Sequence, residues 1–322
     1  MRSVIAPIRP TYGRSTRRQV AMLASKTAAR RVKASAGRPM LESDSGVTLL
    51  RRRSEREGGS GPQARATLRG GIMRRRRRRR DHMTTHNVVK HDEWLKARRR
   101  HLAKEKEFTR LRDQLSRERR DLPWELVEKH YTFEGEHGRQ SLSDLFERRG
   151  QLVIYHAMFN PDTAGADTSW TADAACFVCS FWMDNFNGIT IHLNHRDITM
   201  AAVSRAPYPK LAAYKKRMGW GFPWLSSLGS DFNFDYRVSF TDDATHQVDY
   251  NYRRRQWGST EAPGISVFVK DGGQIYHTYS TYERGLDMLN VAYHYMDLVP
   301  KGRDDGDGAA ASWLRRRDEY QH

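Results

Sequence analysis

The chain contains two cysteines, and they stand three positions apart as Cys176-Phe177-Val178-Cys179. On the first turn of a helix, residues i and i+3 share a face, so the two sulfurs can close a small disulfide ring with little backbone movement. The first cysteine of such a pair lies among the unpaired N–H groups at the positive end of the helix, which favour thiolate over thiol. A free thiol titrates near about 8.5, and surroundings of this kind lower it to roughly 3.5–7.5. Cys176 is therefore the candidate nucleophile. Cys179, one turn further in, is placed to attack a sulfur already bonded to Cys176 and release it, which is the part of a resolving thiol.

Two other readings use the same residues. His192 follows Cys179 after 12 intervening residues and His195 after two more, close to a zinc site of two cysteines and two histidines. The last gap is shorter than the usual three to five residues, and Ile189-Thr-Ile-His-Leu193 alternates as a strand does, so the histidines are not expected on a finger helix. The third reading is a pair of inert reduced thiols. Other polar residues carry less. His156 lies inside an apolar run and is read as a satisfied core histidine, and Arg253-Arg254-Arg255 as a solvated loop. Asp173 could cap the cysteine-bearing helix, where its charge would oppose a Cys176 thiolate. Trp170, Trp182, Trp220 and Trp224 could line a groove near the cysteines, although such aromatics are usually core.

Segments of sequence order must position these residues. The net charge of +18 belongs to one end: residues 1–82 hold 23 Lys+Arg against 5 Asp+Glu, and residues 83–322 hold 33 against 33. The body has no basic field to gather phosphates, so no nucleic-acid partner is expected for it. Residues 1–82, with an unbroken Arg74 to Arg80, read as a disordered Arg-rich tail. The tail could be a basic arm for nucleic acid or membrane, a cleaved transit peptide or upstream sequence from a wrong start; Met83-Thr84-Thr85 stands where the composition changes, which favours the last. No apolar run approaches the roughly 18–20 residues that span a bilayer, so a soluble, cytoplasmic body without a membrane partner is expected. In a reducing compartment a close cysteine pair is more often redox-active or metal-binding than a permanent bridge.

Residues 83–135 form a helical extension in this reading, with one long charged helix from His91 to Arg120 whose apolar residues recur at three, four and seven. Residues 136–300 form the domain. A short helix is expected over 141–147, then the buried strand Gln151–Phe159, a polar loop from Asn160 to Ala175, and the cysteine helix running to Gly188. Strand Ile198–Ser204, helix Lys210–Arg217 and the short segment Phe222–Ser226 follow. After a turn-rich Asp231–Tyr236 comes a strand Arg237–Thr241. Strands Ile265–Val269 and Gln274–Tyr279 flank Lys270-Asp-Gly-Gly273 as a hairpin, and helix Gly285–Tyr295 closes the domain. Residues 301–322 read as a C-terminal tail. The order β-α-β-α and then β-β-α specifies an α/β sheet finished by an antiparallel pair.

A strand, a Cys-x-x-Cys opening a helix, and Ala262-Pro263-Gly-Ile-Ser-Val-Phe-Val-Lys-Asp-Gly272 ahead of a hairpin resemble thioredoxin. More closely, Glu93-Trp-Leu-Lys-Ala-Arg98, Tyr214-Lys-Lys-Arg-Met-Gly-Trp220 and His277-Thr-Tyr-Ser-Thr-Tyr282 resemble a thioredoxin-like group of bacterial proteins, the domain of unknown function numbered 899, from about Met83 to Tyr320. The resemblance implies a thioredoxin-like central mixed sheet flanked by helices. It also implies that Pro263 is a cis-proline facing the reactive cysteine and shaping the groove for a partner's backbone. The chain departs from thioredoxin in Phe177-Val178, where that family has Gly-Pro, and in the long loop before Cys176. It departs from the peroxiredoxin pattern in Ser169 and Asp173, where that pattern has proline and threonine.

These residues point to a thiol-disulfide oxidoreductase without a bound cofactor. Cys176 attacks, Cys179 resolves and Pro263 presents backbone to a disulfide-containing protein or small thiol substrate, with an external reductase to reset the pair. The alternative is a non-catalytic thioredoxin-like binding module, stabilised by zinc through Cys176, Cys179, His192 and His195. Substrate, direction of transfer and oligomeric state stay open at this stage.

Overall fold

The computed structural model describes residues 86–161, 169–241, 247–303 and 313–320. The tail expected over residues 1–82 lies outside them. Helix α1 spans His91–Arg120, with Asp92 and Glu93 in its first turn and Arg117, Arg119 and Arg120 in its last, so each end carries the charge that complements the helix dipole. None of its residues is buried. Its apolar stripe, including Trp94, Phe108, Leu111 and Leu115, stays exposed, and the Arg119 guanidinium lies 4.8 Å from the ring centre of Tyr279.

The chain continues through β1 (Glu125–Leu126), β2 (Thr132–Gly135), β3 (Gly138–Ser141), β4 (Gln151–His156), α2 (Phe177–Met183), α3 (Thr190–His195) and β5 (Ile198–Ser204). Then come α4 (Tyr208–Met218), β6 (Trp224–Ser226), α5 (Phe232–Asp235), β7 (Val248–Tyr250), β8 (Arg253–Arg255), β9 (Gly264–Asp271), β10 (Gln274–Tyr282) and α6 (Val291–Met296). One eight-stranded sheet runs β1-β10-β9-β4-β5-β6-β2-β3, and β7 and β8 pair apart from it. At its centre β4 is parallel to β5, with Ile154 opposite Ala201, and antiparallel to β9, with Ile154 opposite Ser266. The order β10-β9-β4-β5, with a helix joining the parallel pair and a hairpin completing the set, is a thioredoxin-like mixed sheet.

Alternation along β4 decides what reaches the cysteines. Successive side chains leave a strand on opposite faces. Leu152 and Ile154 pack with Phe133, Phe232 and Phe268, and Tyr155 packs on the other side with Cys176, Cys179, Trp182 and Tyr214. His156 therefore sits away from the thiols, its ring near-parallel to Tyr236 and its Nε2 2.9 Å from Ser266 Oγ. Burial lowers its pKa to about 3, so it is a neutral core histidine as expected.

Several expectations give way to local chemistry. Ile189–Leu193 does not extend as a strand, because α3 occupies Thr190–His195. Ile189 and Leu193 are four residues apart, which suits one face of a helix as well as a strand's alternation, and so short a run does not discriminate. Asp231–Tyr236 contains α5 rather than a loop, and of the strand expected over Arg237–Thr241 Ser239 forms an isolated bridge to Glu261. The closing helix is divided. Glu283–Leu289 is a 3₁₀ helix, and Asn290 restarts the chain as an N-cap, accepting from Ala292 N–H at 3.0 Å and Tyr293 N–H at 3.4 Å. Arg253-Arg254-Arg255 is strand β8, not a solvated loop. Among the described residues, no helix is long and apolar enough to cross a membrane.

Candidate thiol site

Cys176 occupies the N-cap of α2, where its Sγ accepts the Cys179 N–H at 3.4 Å. The capping role expected of Asp173 is thus taken by the cysteine itself, and Asp173 instead accepts the Thr171 hydroxyl at 2.8 Å. The pair is fastened to the chain just past the end of β4. Cys176 N–H donates to the Met158 carbonyl at 3.1 Å, and Met158 N–H donates to Cys179 Sγ at 3.3 Å. The Ser180 hydroxyl links the Cys176 carbonyl to Tyr214 Oη, at 2.9 Å on each side. Both cysteines are free thiols, 1% and 0% exposed.

The two sulfurs have unequal surroundings. Burial first, and the adjacent Cys176 sulfur second, push the Cys179 thiol well above its ordinary value. Two groups work the other way: the Met158 N–H, which donates to Cys179 Sγ at 3.3 Å, and the neighbouring Tyr155 hydroxyl both favour its thiolate. The net direction keeps Cys179 protonated at neutral pH, and these groups support its charge when the proton leaves. Burial likewise holds the Tyr155 hydroxyl well above the usual phenol range, so it remains a donor.

A segment far along the chain holds down the loop that carries Cys176. Arg316 donates from Nε and Nη2 to the Ala175 carbonyl, at 3.1 and 2.8 Å, and from Nη2 to the Ser169 carbonyl at 3.4 Å. Glu319 accepts from Arg316 Nη1 at 3.1 Å. Arg217, in the last turn of α4, donates to Asp318 at 2.6 Å and Glu319 at 3.3 Å. Leu314 is fully buried. The sequence read 301–322 as a tail, and the apolar pair Trp313-Leu314 among charges was the trace that could have marked this segment.

His192 and His195 lie exposed on α3 while both sulfurs are buried. Among the described residues, no three or more of His, Cys, Asp and Glu gather in a metal-holding cluster. Pro263 lines a cleft of about 570 Å³ together with Tyr155, Val178 and Trp182, and neither sulfur is among the lining groups. Its peptide bond is trans, which corrects the cis expectation, since no cis peptide occurs among the described residues. The flanking backbone is also engaged. Ala262 N–H donates to the Val238 carbonyl at 2.8 Å, and the Pro263 carbonyl accepts the Tyr250 hydroxyl at 2.7 Å. Pro263 thus offers its ring as a wall, and those two backbone groups are already paired.

The residue before this segment yields a pH-dependent expectation. Glu261 is 1% exposed, accepts the Ser239 hydroxyl at 2.8 Å and lies 3.5 Å from Arg205 Nη1. Burial outweighs both partners and raises its pKa to about 7. Between pH 4.5, the ordinary value, and about 7 the folded state keeps a proton that the unfolded chain releases, so stability falls as pH rises through that window. Glu261→Gln removes this ionisation. Relative to the native chain, the variant is expected to gain about 3 kcal/mol between pH 4.5 and 8, read from denaturant midpoints at both pH values; a constant difference between them contradicts the assignment.

The profile of a family described as bacterial protein of unknown function (DUF899) matches residues 83–320. The chain belongs to this family. No curated protein matches its sequence. Among solved structures, it is similar to peroxiredoxin Q from Xanthomonas campestris at 12% identity, over 56% of this chain and 99% of that one, with a TM-score of 0.34. Peroxidoxin BcpB from Mycobacterium tuberculosis matches at 13% identity, over 52% and 93%, with a TM-score of 0.34. The mitochondrial 2-Cys peroxiredoxin from Plasmodium falciparum matches at 12%, over 54% and 93%, with a TM-score of 0.33. The family match extends to residue 320 and so takes in the segment that bears Arg316.

Proposed function

We propose that this family member is a thiol-disulfide oxidoreductase whose working groups are Cys176 and Cys179. The observation that carries the reading is the Cys179 N–H pointing at Cys176 Sγ on the first turn of α2, with Cys179 Sγ beside it accepting the Met158 N–H. A thiolate at Cys176 attacks one sulfur of a substrate disulfide. The S–S bond breaks, the second substrate sulfur leaves as a thiolate and takes a proton from solvent, and a mixed disulfide remains on Cys176. Cys179 loses its proton, attacks the Cys176 sulfur and expels the first substrate sulfur. The substrate gains two electrons and two protons as two thiols, and the protein is left with a Cys176–Cys179 disulfide. An external dithiol reductase returns it to the starting state, and no bound cofactor takes part. Pro263 and Val178 both line the neighbouring cleft.

A second reading, a non-catalytic binding module, draws support from the burial of both sulfurs. The two separate in a turnover assay with oxidised glutathione as substrate and dithiothreitol-reduced protein. The oxidoreductase reduces glutathione disulfide at a rate that disappears in Cys176→Ser. A module shows the same uncatalysed background with or without that substitution.

A further inference from the structure

The cleft beside the thiols has walls of two kinds. Trp182, Trp257, Tyr293 and Leu286 supply aromatic and aliphatic surface, with the indole nitrogens of Trp182 and Trp257 already donating to the carbonyls of Leu286 and Glu261, both at 3.0 Å. With those N–H groups satisfied, what the two indoles present to the cleft is apolar ring surface, braced by Tyr250 and Arg255 at Trp257 and by Phe181 and Tyr293 at Trp182. A volume of about 570 Å³ lies in the ordinary range for small-molecule sites, roughly 300–1,000 Å³.

The rim is charged, and the charges do not cancel. Arg253, Arg284 and Arg303 stand against Glu283 and Asp287 on the cleft itself. Just outside, Arg255 pairs with Glu283, and Asp297 pairs with Arg303 at 2.7 Å. Four guanidiniums therefore face three carboxylates. The excess is concentrated where solvent reaches. Arg303 is held by both Asp287 and Asp297 and lies 4.0 Å from the Tyr293 ring centre, so it is a fixed wall. Arg253 has Glu283 at 4.0 Å and a side chain 64% exposed, and Arg284 directs its Nε at Asp287 with a side chain 86% exposed. Both retain donors for a planar anion, and a guanidinium fork matches a carboxylate's two oxygens.

We propose that this cleft binds a small amphipathic carboxylate, its apolar body against Trp182 and Trp257 and its carboxylate between Arg253 and Arg284. Charge complementarity selects the anionic end, and the aromatic walls select the body. Tyr155 lines the cleft and packs in the same cluster as Cys176 and Cys179, so occupancy is one side chain removed from the thiols. The proposal stands apart from the thiol chemistry, because neither sulfur lines the cleft.

Titration of the full chain with decanoate, below its micelle concentration and followed by tryptophan fluorescence, tests it. The expected result is a saturable one-to-one change, at least tenfold weaker with decylammonium of the same length. The double variant Arg253→Glu, Arg284→Glu, altered at exposed positions that leave the apolar walls in place, is expected to lose decanoate affinity at least tenfold and to favour decylammonium. Cys176→Ser is expected to bind decanoate as the native chain does, which separates failure of this site from failure of the redox reading. No saturable change with decanoate, equal binding of the two probes, or unchanged decanoate binding in the double variant overturns the proposal.

Discussion

Cys179→Ser is expected to turn the protein into a covalent trap. In the native chain a mixed disulfide on Cys176 is resolved within the molecule, because Cys179 is held next to it by the Met158 N–H and the α2 turn. An oriented intramolecular thiol acts at an effective concentration far above that of any thiol in solution. With oxygen in place of sulfur at position 179 this route closes. The adduct should then persist at least about 100-fold longer than in the native chain, a conservative share of that intramolecular advantage. The measurement is intact mass after exposure to glutathione disulfide: one glutathione on Cys176 in Cys179→Ser, none in Cys176→Ser, and an internal disulfide in the native protein. Adducts on neither variant would remove Cys176 as the nucleophile. The raised pKa of Cys179 adds a sign: resolution in the native chain should quicken as pH rises toward the thiol's elevated value, since the resolving thiolate becomes more abundant.

Arg316→Ala is expected to expose Cys176. Both sulfurs are buried, so an alkylating reagent reaches them when the loop from Ser169 to Ala175 lifts. Arg316 opposes that lift through charge-assisted hydrogen bonds to two loop carbonyls, with Glu319 holding its other edge. Hydrogen bonds to charged groups contribute about 1.5–3 kcal/mol each, and water replaces part of that on opening. A net change of about 2 kcal/mol in the opening equilibrium corresponds to roughly a 30-fold faster reaction of Cys176 with iodoacetamide. Arg316→Lys should fall between, because one ammonium cannot serve two carbonyls with a planar fork. Global stability, read in parallel by denaturant, separates local opening from unfolding. An unchanged alkylation rate in a folded Arg316→Ala contradicts the role given to this segment.

The parts of the fold that the sequence made legible are those with local, repeated signals. Thirty residues of charged periodicity announced α1, a near-continuous apolar run announced β4, and Lys270-Asp-Gly-Gly273 between two β-rich segments announced the hairpin of β9 and β10. The cysteine pair was legible because its geometry depends on one helical turn. Short elements were not. At four to six residues, α3 and α5 are set by tertiary packing more than by pattern, and the closing helix was divided by the single cap Asn290. Arg316 could not be read at all, since its partner Ala175 is 141 residues away and no periodic signal links them. Tyr155 looked like one more apolar strand residue; its contact with Cys179 depends on which face of β4 it takes. Pro263 was placed through resemblance, which gave it a cis peptide bond facing the reactive cysteine; the bond is trans, and Pro263 lines a cleft that neither sulfur reaches.

The central claim, that Cys176 and Cys179 are a reversible dithiol in the native fold, is tested most directly by redox titration. The full chain is equilibrated in dithiothreitol buffers of stepped ratio without denaturant, quenched with acid, and the peptide bearing both cysteines is weighed. The expected result is a two-electron transition in which the peptide passes from two free thiols to one internal disulfide and returns when the ratio is reversed. Two thiols that stay reduced across the whole range while the protein remains folded, and oxidise only after denaturant is added, would contradict it.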